Sequence, residues 1–185
     1  MKIPNPVQLL LTEYLSLQCI GNDSILNELQ ALSQSVGELM IKEFGCVTMF
    51  EHGAVQPKST VGCGVDFAHL HLVPINFDLL QGVEKFLDIK YDWEKVASLK
   101  DAIKTSEKGI EYLFLTDHLG NSFITRNEKI QSQLFRKVIA SYLGTPEKYD
   151  WKKFHEIENI SKTVSRFKKY HSSIKISEFE YEPSR

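Results

Sequence analysis

Apolar positions change their period several times along the chain, and each change marks an element. Residues 7–19 open with VQLLL, dense in apolar side chains and short, which suits a strand, with a helix as the alternative. Beyond the break at Gly21-Asn22-Asp23, Ile25, Leu29, Leu32, Val36 and Leu39 recur at spacings of four and three. That period predicts a helix with one stripe toward a core. Asp23 or Ser24 can cap its start, and Gly45 is a natural terminator. CVTMFEH (46–52) is β-branched and aromatic and reads as a strand. The stretch 53–64 mixes Gly, Pro, Ser and Thr without period and reads as a loop. VDFAHLHLV (65–73) then returns as a second strand, stopped by Pro74, and the two strands are most simply an antiparallel pair.

The second half repeats the alternation of types. Residues 92–104 look helical, and YLFLT and SFITR flank the turn DHLGN as a hairpin. Ile130, Leu134, Val138 and Tyr142 stand four apart in a predicted helix over 128–143, ended by Gly144. Ile157, Ile160, Val164 and Phe167 mark another over 156–170, and the tail SSIKISEFEYEPSR alternates as an edge strand or disordered segment. The expected fold class is α+β, an antiparallel sheet with flanking helices. Residues 1–76 are expected to form a core, and 77–185 an extension packed on it as one compact unit.

Composition narrows the function classes. The chain has 185 residues, 42% of them apolar, enough to bury a core. A formal net charge of −2 gives no general pull toward nucleic acid or anionic lipid. Nucleic-acid binding is kept only as a minor alternative, carried by the Lys- and Arg-rich stretch 150–171 with Trp151, Phe154 and His155 for stacking. Cys19, Cys46 and Cys63 are odd in number and widely spaced, as in a reducing compartment. No apolar run approaches a membrane span, and nothing reads as a signal peptide. The expectation is a cytoplasmic protein without a membrane partner.

Chemistry concentrates in GCGVDFAHLHLVP, residues 62–74. On a strand, alternate residues share a face, so His69 and His71 project together, roughly 7 Å apart at Cα. Ala68, Leu70 and Leu72 form the better core face, which predicts the imidazoles on the face away from the core. Imidazole titrates near neutrality and can serve as nucleophile, base or acid. Gly62 and Gly64 bracket Cys63, and amides in such a turn can form an anion nest. A nest beside a histidine pair suggests phosphoryl or nucleotidyl transfer. A zinc site from His52, Cys63, His69 and His71 is the weaker reading, because the spacing matches no established finger. His52 reads first as a structural histidine, and His118 as exposed.

FEHG, a glycine-containing loop and DFAHLHLVP together resemble the histidine-triad (HIT) superfamily, whose hallmark is His-φ-His-φ-His-φ-φ with φ apolar. The similarity covers about residues 7–75, and SQLFRKVIASYLGTPEKYDW is similar to a C-terminal extension of some HIT-like proteins. The resemblance implies that His69 is the nucleophile at the α-phosphorus of a nucleotide ester, anhydride or phosphoramidate. His71 then contacts the α-phosphate and leaving group. Gly62, Cys63 and Gly64 match the phosphate loop, and Glu51 falls where a polar residue often lies near the phosphates. The implied scheme uses no metal and no cofactor; its partner is a nucleotide or nucleotide-derived small molecule, and a homodimer is implied. Two departures stand out. Phe67 replaces the first histidine, leaving only its backbone carbonyl to orient His69. Val7 or Gln8 stands where the family carries a histidine near its start.

Overall fold

The computed structural model describes residues 7–11 (backbone only), 14, 16–56, 59, 61, 67–105, 109–126, 130–150, 152–155 and 157–170. Their elements are β1 (Val7–Leu11), α1 (Asp23–Phe44), β2 (Thr48–Gly53), β3 (Ala68–Val73), α2 (Leu79–Leu87) and β4 (Glu94–Val96). After these come α3 (Leu99–Thr105), β5 (Tyr112–Thr116), β6 (Ser122–Arg126), α4 (Leu134–Tyr142) and α5 (Ile157–Lys168).

The strands make one six-stranded sheet in the order β1-β3-β2-β5-β6-β4. Every pairing is antiparallel, so the fold is α+β with an antiparallel sheet and flanking helices. The β2–β3 pair aligns Phe50 with His71, and β5 lies on the other side of β2 with Leu115 opposite Phe50. Three of the six strands therefore come from beyond residue 76, and that position marks no break in the sheet.

Both faces of this sheet are covered, and the pleat sorts side chains between two cores. Ala68, Leu70, Leu72, Tyr112, Phe114 and Ile124 face α1 and its Leu26, Leu29, Val36 and Met40. Phe50, Val73, Leu113 and Leu115 face the other way, against Leu79 and Val83 of α2 and Leu134, Phe135 and Val138 of α4. Each of the leucine, isoleucine, valine, methionine and phenylalanine side chains among them, taken from water, contributes roughly 1.5–3 kcal/mol. All six residues of β3 are buried, as expected of a strand with helices on both sides.

Local signals explain most boundaries. The α1 cap is Asn22, not Asp23 or Ser24: its Oδ1 accepts the Ser24 amide at 2.8 Å. Asp23 instead pairs with Lys104 at 3.2 Å. Gly45 ends α1 at φ 86, in the left-handed region that glycine adopts without strain. The buried stripe of α1 is offset from the expected one: Leu26 and Met40 are inside, while Ile25, Leu32 and Leu39 are half-buried. The 92–104 helix is corrected to β4 followed by the shorter α3, and α2 was not anticipated. The hairpin stands as expected, its turn closed by Asp117, whose Oδ1 accepts the Leu119 and Asn121 amides. Helix α4 begins at Leu134, after Gln133 takes a left-handed φ of 56. Tyr142 is 66% exposed, so the predicted four-residue stripe does not run the full length of α4. The alternating tail lies outside the described residues. Among the described residues, no helix is long and apolar enough to cross a membrane.

Candidate functional site

On β3 the period of two puts His69 and His71 on one face, as expected. The face is not the open one. With Phe50 and His52 of β2 it lies under α2 and α4, and His69, His71 and His52 are only 2%, 1% and 3% exposed. The expectation of imidazoles projecting away from the core is therefore corrected. It failed because Leu113, Leu115, Leu134 and Phe135, distant in sequence, build a second core over that face.

The rings are held in a compact group. His69 and His71 lie edge to face with centroids 4.8 Å apart. His71 stacks on Phe50 at 4.6 Å and stands 6.4 Å from His52. Phe135, in the first turn of α4, packs on Phe50 at 4.9 Å and on His52 at 5.1 Å. Its backbone N–H donates to His52 Nε2 at 3.3 Å. An amide nitrogen only donates, so Nε2 of His52 is the acceptor and the ring proton sits on Nδ1.

His69 has the complementary arrangement. Its Nδ1 lies 2.7 Å from the Phe67 carbonyl oxygen. A carbonyl only accepts, so Nδ1 carries the proton and Nε2 carries the lone pair. Phe67 thus orients His69 through its backbone, while its side chain is 43% exposed. His69 Nε2 is buried and has no hydrogen-bond partner among the described residues. Leaving such an atom unpaired costs about 1–3 kcal/mol, which asks for an explanation beyond packing.

Electrostatics keep the group uncharged. Burial pushes the His52 pKa down to about 3, helped by His69, Arg136 and Lys137. His71 is held well below the ordinary imidazole value by burial, then by His69, His52 and Arg136. His69 is lowered by burial and by Arg136, against the Phe67 carbonyl, which favours the charged form. All three rings are free bases at neutral pH.

The other expected site residues divide. Gly62, Cys63 and Gly64 lie outside the described residues. Glu51 is not brought to the histidines: it neighbours His52 on β2 and so points to the opposite face. There its Oε1 accepts the Leu17 amide at 2.9 Å and its Oε2 accepts the Tyr112 hydroxyl. It is 1% exposed, and burial raises its pKa to about 7 against the lowering effect of those two bonds. A phosphate on the histidine side does not meet this carboxyl. His118 is half-buried rather than exposed. Among the described residues, no group of three or more His, Cys, Asp or Glu is placed to hold a metal ion.

Sequence reasoning missed the contribution of α4. Phe135 buttresses the rings, and Arg136 is the cation that acts on all three. In sequence, Arg136 is one of several cations between apolar positions, and nothing distinguishes it until α4 docks. No family model matches the chain, and no curated protein matches it.

Proposed function

We propose that the protein is a HIT-like nucleotidyl hydrolase or transferase that attacks an α-phosphorus through Nε2 of His69. The observation that carries this reading is a buried, neutral imidazole whose Nδ1 is fixed by a carbonyl and whose Nε2 lone pair is unpartnered. That is the protonation state a nitrogen nucleophile needs. In the first step a P–N bond to His69 forms as the bond from phosphorus to the leaving amine or phosphate breaks; the leaving group departs with the electron pair and takes up a proton. In the second, water adds to phosphorus and gives up a proton to solvent, replacing the one the leaving group took from solvent, while the P–N bond breaks, its electron pair returns to Nε2, and a nucleoside monophosphate leaves the neutral His69. His71, beside His69, serves the phosphoryl oxygens. Positioning and charge stabilisation are the main levers of phosphoryl transfer.

A second reading is favoured by specific observations: a HIT-like protein that binds a nucleotide or a partner without turning it over. The near-complete burial of His69 restricts approach to the nucleophile, and the Phe67 side chain is turned to solvent instead of supporting the rings.

One assay separates them. The protein and His69→Ala are incubated with adenosine phosphoramidate and with dinucleoside polyphosphates. Nucleotide release by the wild type that His69→Ala reduces at least ~10³-fold is the expected result for covalent catalysis. Equal background release from both proteins rejects the enzyme, and nucleotide binding without release selects the second reading.

A further inference from the structure

A cavity lies away from the histidines, on the α1 side of the sheet. It holds about 200 Å³ and opens between the start of α1, the end of α3 and the short 3-10 turn Leu17–Cys19. Ile20, Leu26 and Ile103 give it an apolar lining, and all three are buried. Gly21 adds no side chain to the wall, and a Cβ there would meet nothing within 4 Å.

Gln18 also lines the cavity. It is 6% exposed, and its Oε1 is buried without a hydrogen-bond partner among the described residues. The turn that carries it is firmly placed. Two backbone bonds close it, Cys19 N–H to the Ser16 oxygen and Ile20 N–H to the Leu17 oxygen, and Glu51 Oε1 accepts the Leu17 amide at 2.9 Å. The fold thus holds Gln18 at this wall while leaving an acceptor unpaired, at a cost of about 1–3 kcal/mol that a donor from a ligand removes. Asp23 and Lys104 complete the lining as an ion pair at 3.2 Å, with side chains 64% and 52% exposed. A pair so open to water contributes only about 0.2–1 kcal/mol and yields readily to a ligand that brings both charges.

Burial therefore sorts the lining into one exposed charge of each sign, an apolar wall and an unpaired buried acceptor. A simple anion would meet Asp23 as well as Lys104, and a simple cation the reverse. We infer that this cavity binds a free α-amino acid whose side chain carries a hydroxyl: the ammonium meets Asp23, the carboxylate meets Lys104, the apolar part of the side chain lies on Leu26 and Ile103, and the hydroxyl donates to Gln18 Oε1. The site shares no residue with the His69 face, so its failure and that of the nucleotidyl-transfer reading are separate events.

The test is an NMR titration of the isotope-labelled full chain with L-tyrosine and L-threonine, each beside its counterpart without the hydroxyl, L-phenylalanine and L-valine. The Gly21 backbone amide and the Gln18 side-chain amide report on the cavity. At least one hydroxyl amino acid is expected to shift both signals and to bind about tenfold more tightly than its counterpart. Gln18→Leu is expected to erase that preference. Gly21→Val, whose Cβ enters open space, is expected to fill the cavity and weaken binding at least tenfold. Should Gln18→Leu fail to fold, the two matched pairs on the wild type and Gly21→Val carry the test. The amide of the amino acid that binds, which lacks the carboxylate, is expected to bind about tenfold more weakly. Equal binding of that amide assigns the cavity to the first residue of a peptide and overturns the inference. So does the absence of shifts at Gly21 and Gln18 with all four amino acids, equal affinity within both pairs, or undiminished binding by Gly21→Val.

Discussion

At the scale of single residues, the most constrained position near the site is a glycine. A Cβ on Gly53 would come 2.0 Å from Cε1 of Tyr112, because the Tyr112 ring lies across that backbone. The ring lies there because its hydroxyl reaches Glu51, two residue pairs along the same two strands. Gly53→Ala must therefore expel the ring from a core in which it is 1% exposed and strip Glu51 of one of its two donors, leaving the Leu17 amide. The expected cost is about 3 kcal/mol, read as a lowered urea midpoint with an unchanged slope. An effect below 1 kcal/mol would mean that the ring finds another seat. The sequence FEHG carried half of this information. Its polar pair was visible, but the pleat sends Glu51 and His52 to opposite faces, and the partner of each lies far along the chain: Tyr112 for one and Phe135 for the other. The alternation of His69 and His71 was legible for the same reason that the burial of their face was not. A period of two fixes which side chains point together, whereas what covers them depends on long-range packing.

At the scale of elements, legibility followed the strength of local signals. Helix α1 has a cap, a glycine stop and 22 residues of period, and the β5–β6 hairpin has Asp117 and Gly120 in its turn, so both were readable. Helix α2 has nine residues, and β4 only three, too few for a period to speak over the background. Yet α2 decides where α4 sits. Gly82 faces Val138 so closely that a Cβ on it would lie 2.9 Å from the Val138 Cγ1. The gap between the helices is set by the missing side chain, and α4 in turn sets Phe135 against His52. Gly82→Leu is favourable for helix propensity by about 1 kcal/mol, but overpacks a contact in which Val138 is 3% exposed. The expected result is a net loss of about 2 kcal/mol in denaturant unfolding, together with faster hydrogen exchange at the Phe135 amide as the His52 bond loosens. Retained protection at that amide would show that α4 does not depend on this contact for its seat.

At the scale of the whole molecule, the two faces of the sheet carry opposite pH signatures. On the α1 face, Glu51 is raised from 4.5 to about 7 by burial. Folding favours its protonated form, so the stability it contributes is fully present below about 4.5 and is lost as pH rises through about 7. On the α4 face, His52 is lowered from 6.5 to about 3, and His69 and His71 are also lowered. Below 6.5 the unfolded chain binds protons that the folded rings refuse, so these groups add stability as pH rises toward 6.5. Three rings outweigh one carboxyl, and the wild type is expected to melt progressively higher from pH 4.5 to 6.5. Glu51→Gln isolates the opposing face. Its amide can still accept from the Leu17 N–H and meet the Tyr112 hydroxyl, yet cannot ionise. It should match the wild type near pH 4 and exceed it at pH 8, by a difference of order 3 kcal/mol. A constant offset across that range would show that Glu51 titrates in the fold as it does in the unfolded chain, near 4.5, and hence that at neutral pH the α1 face holds a charge rather than a neutral hydrogen-bonded acid.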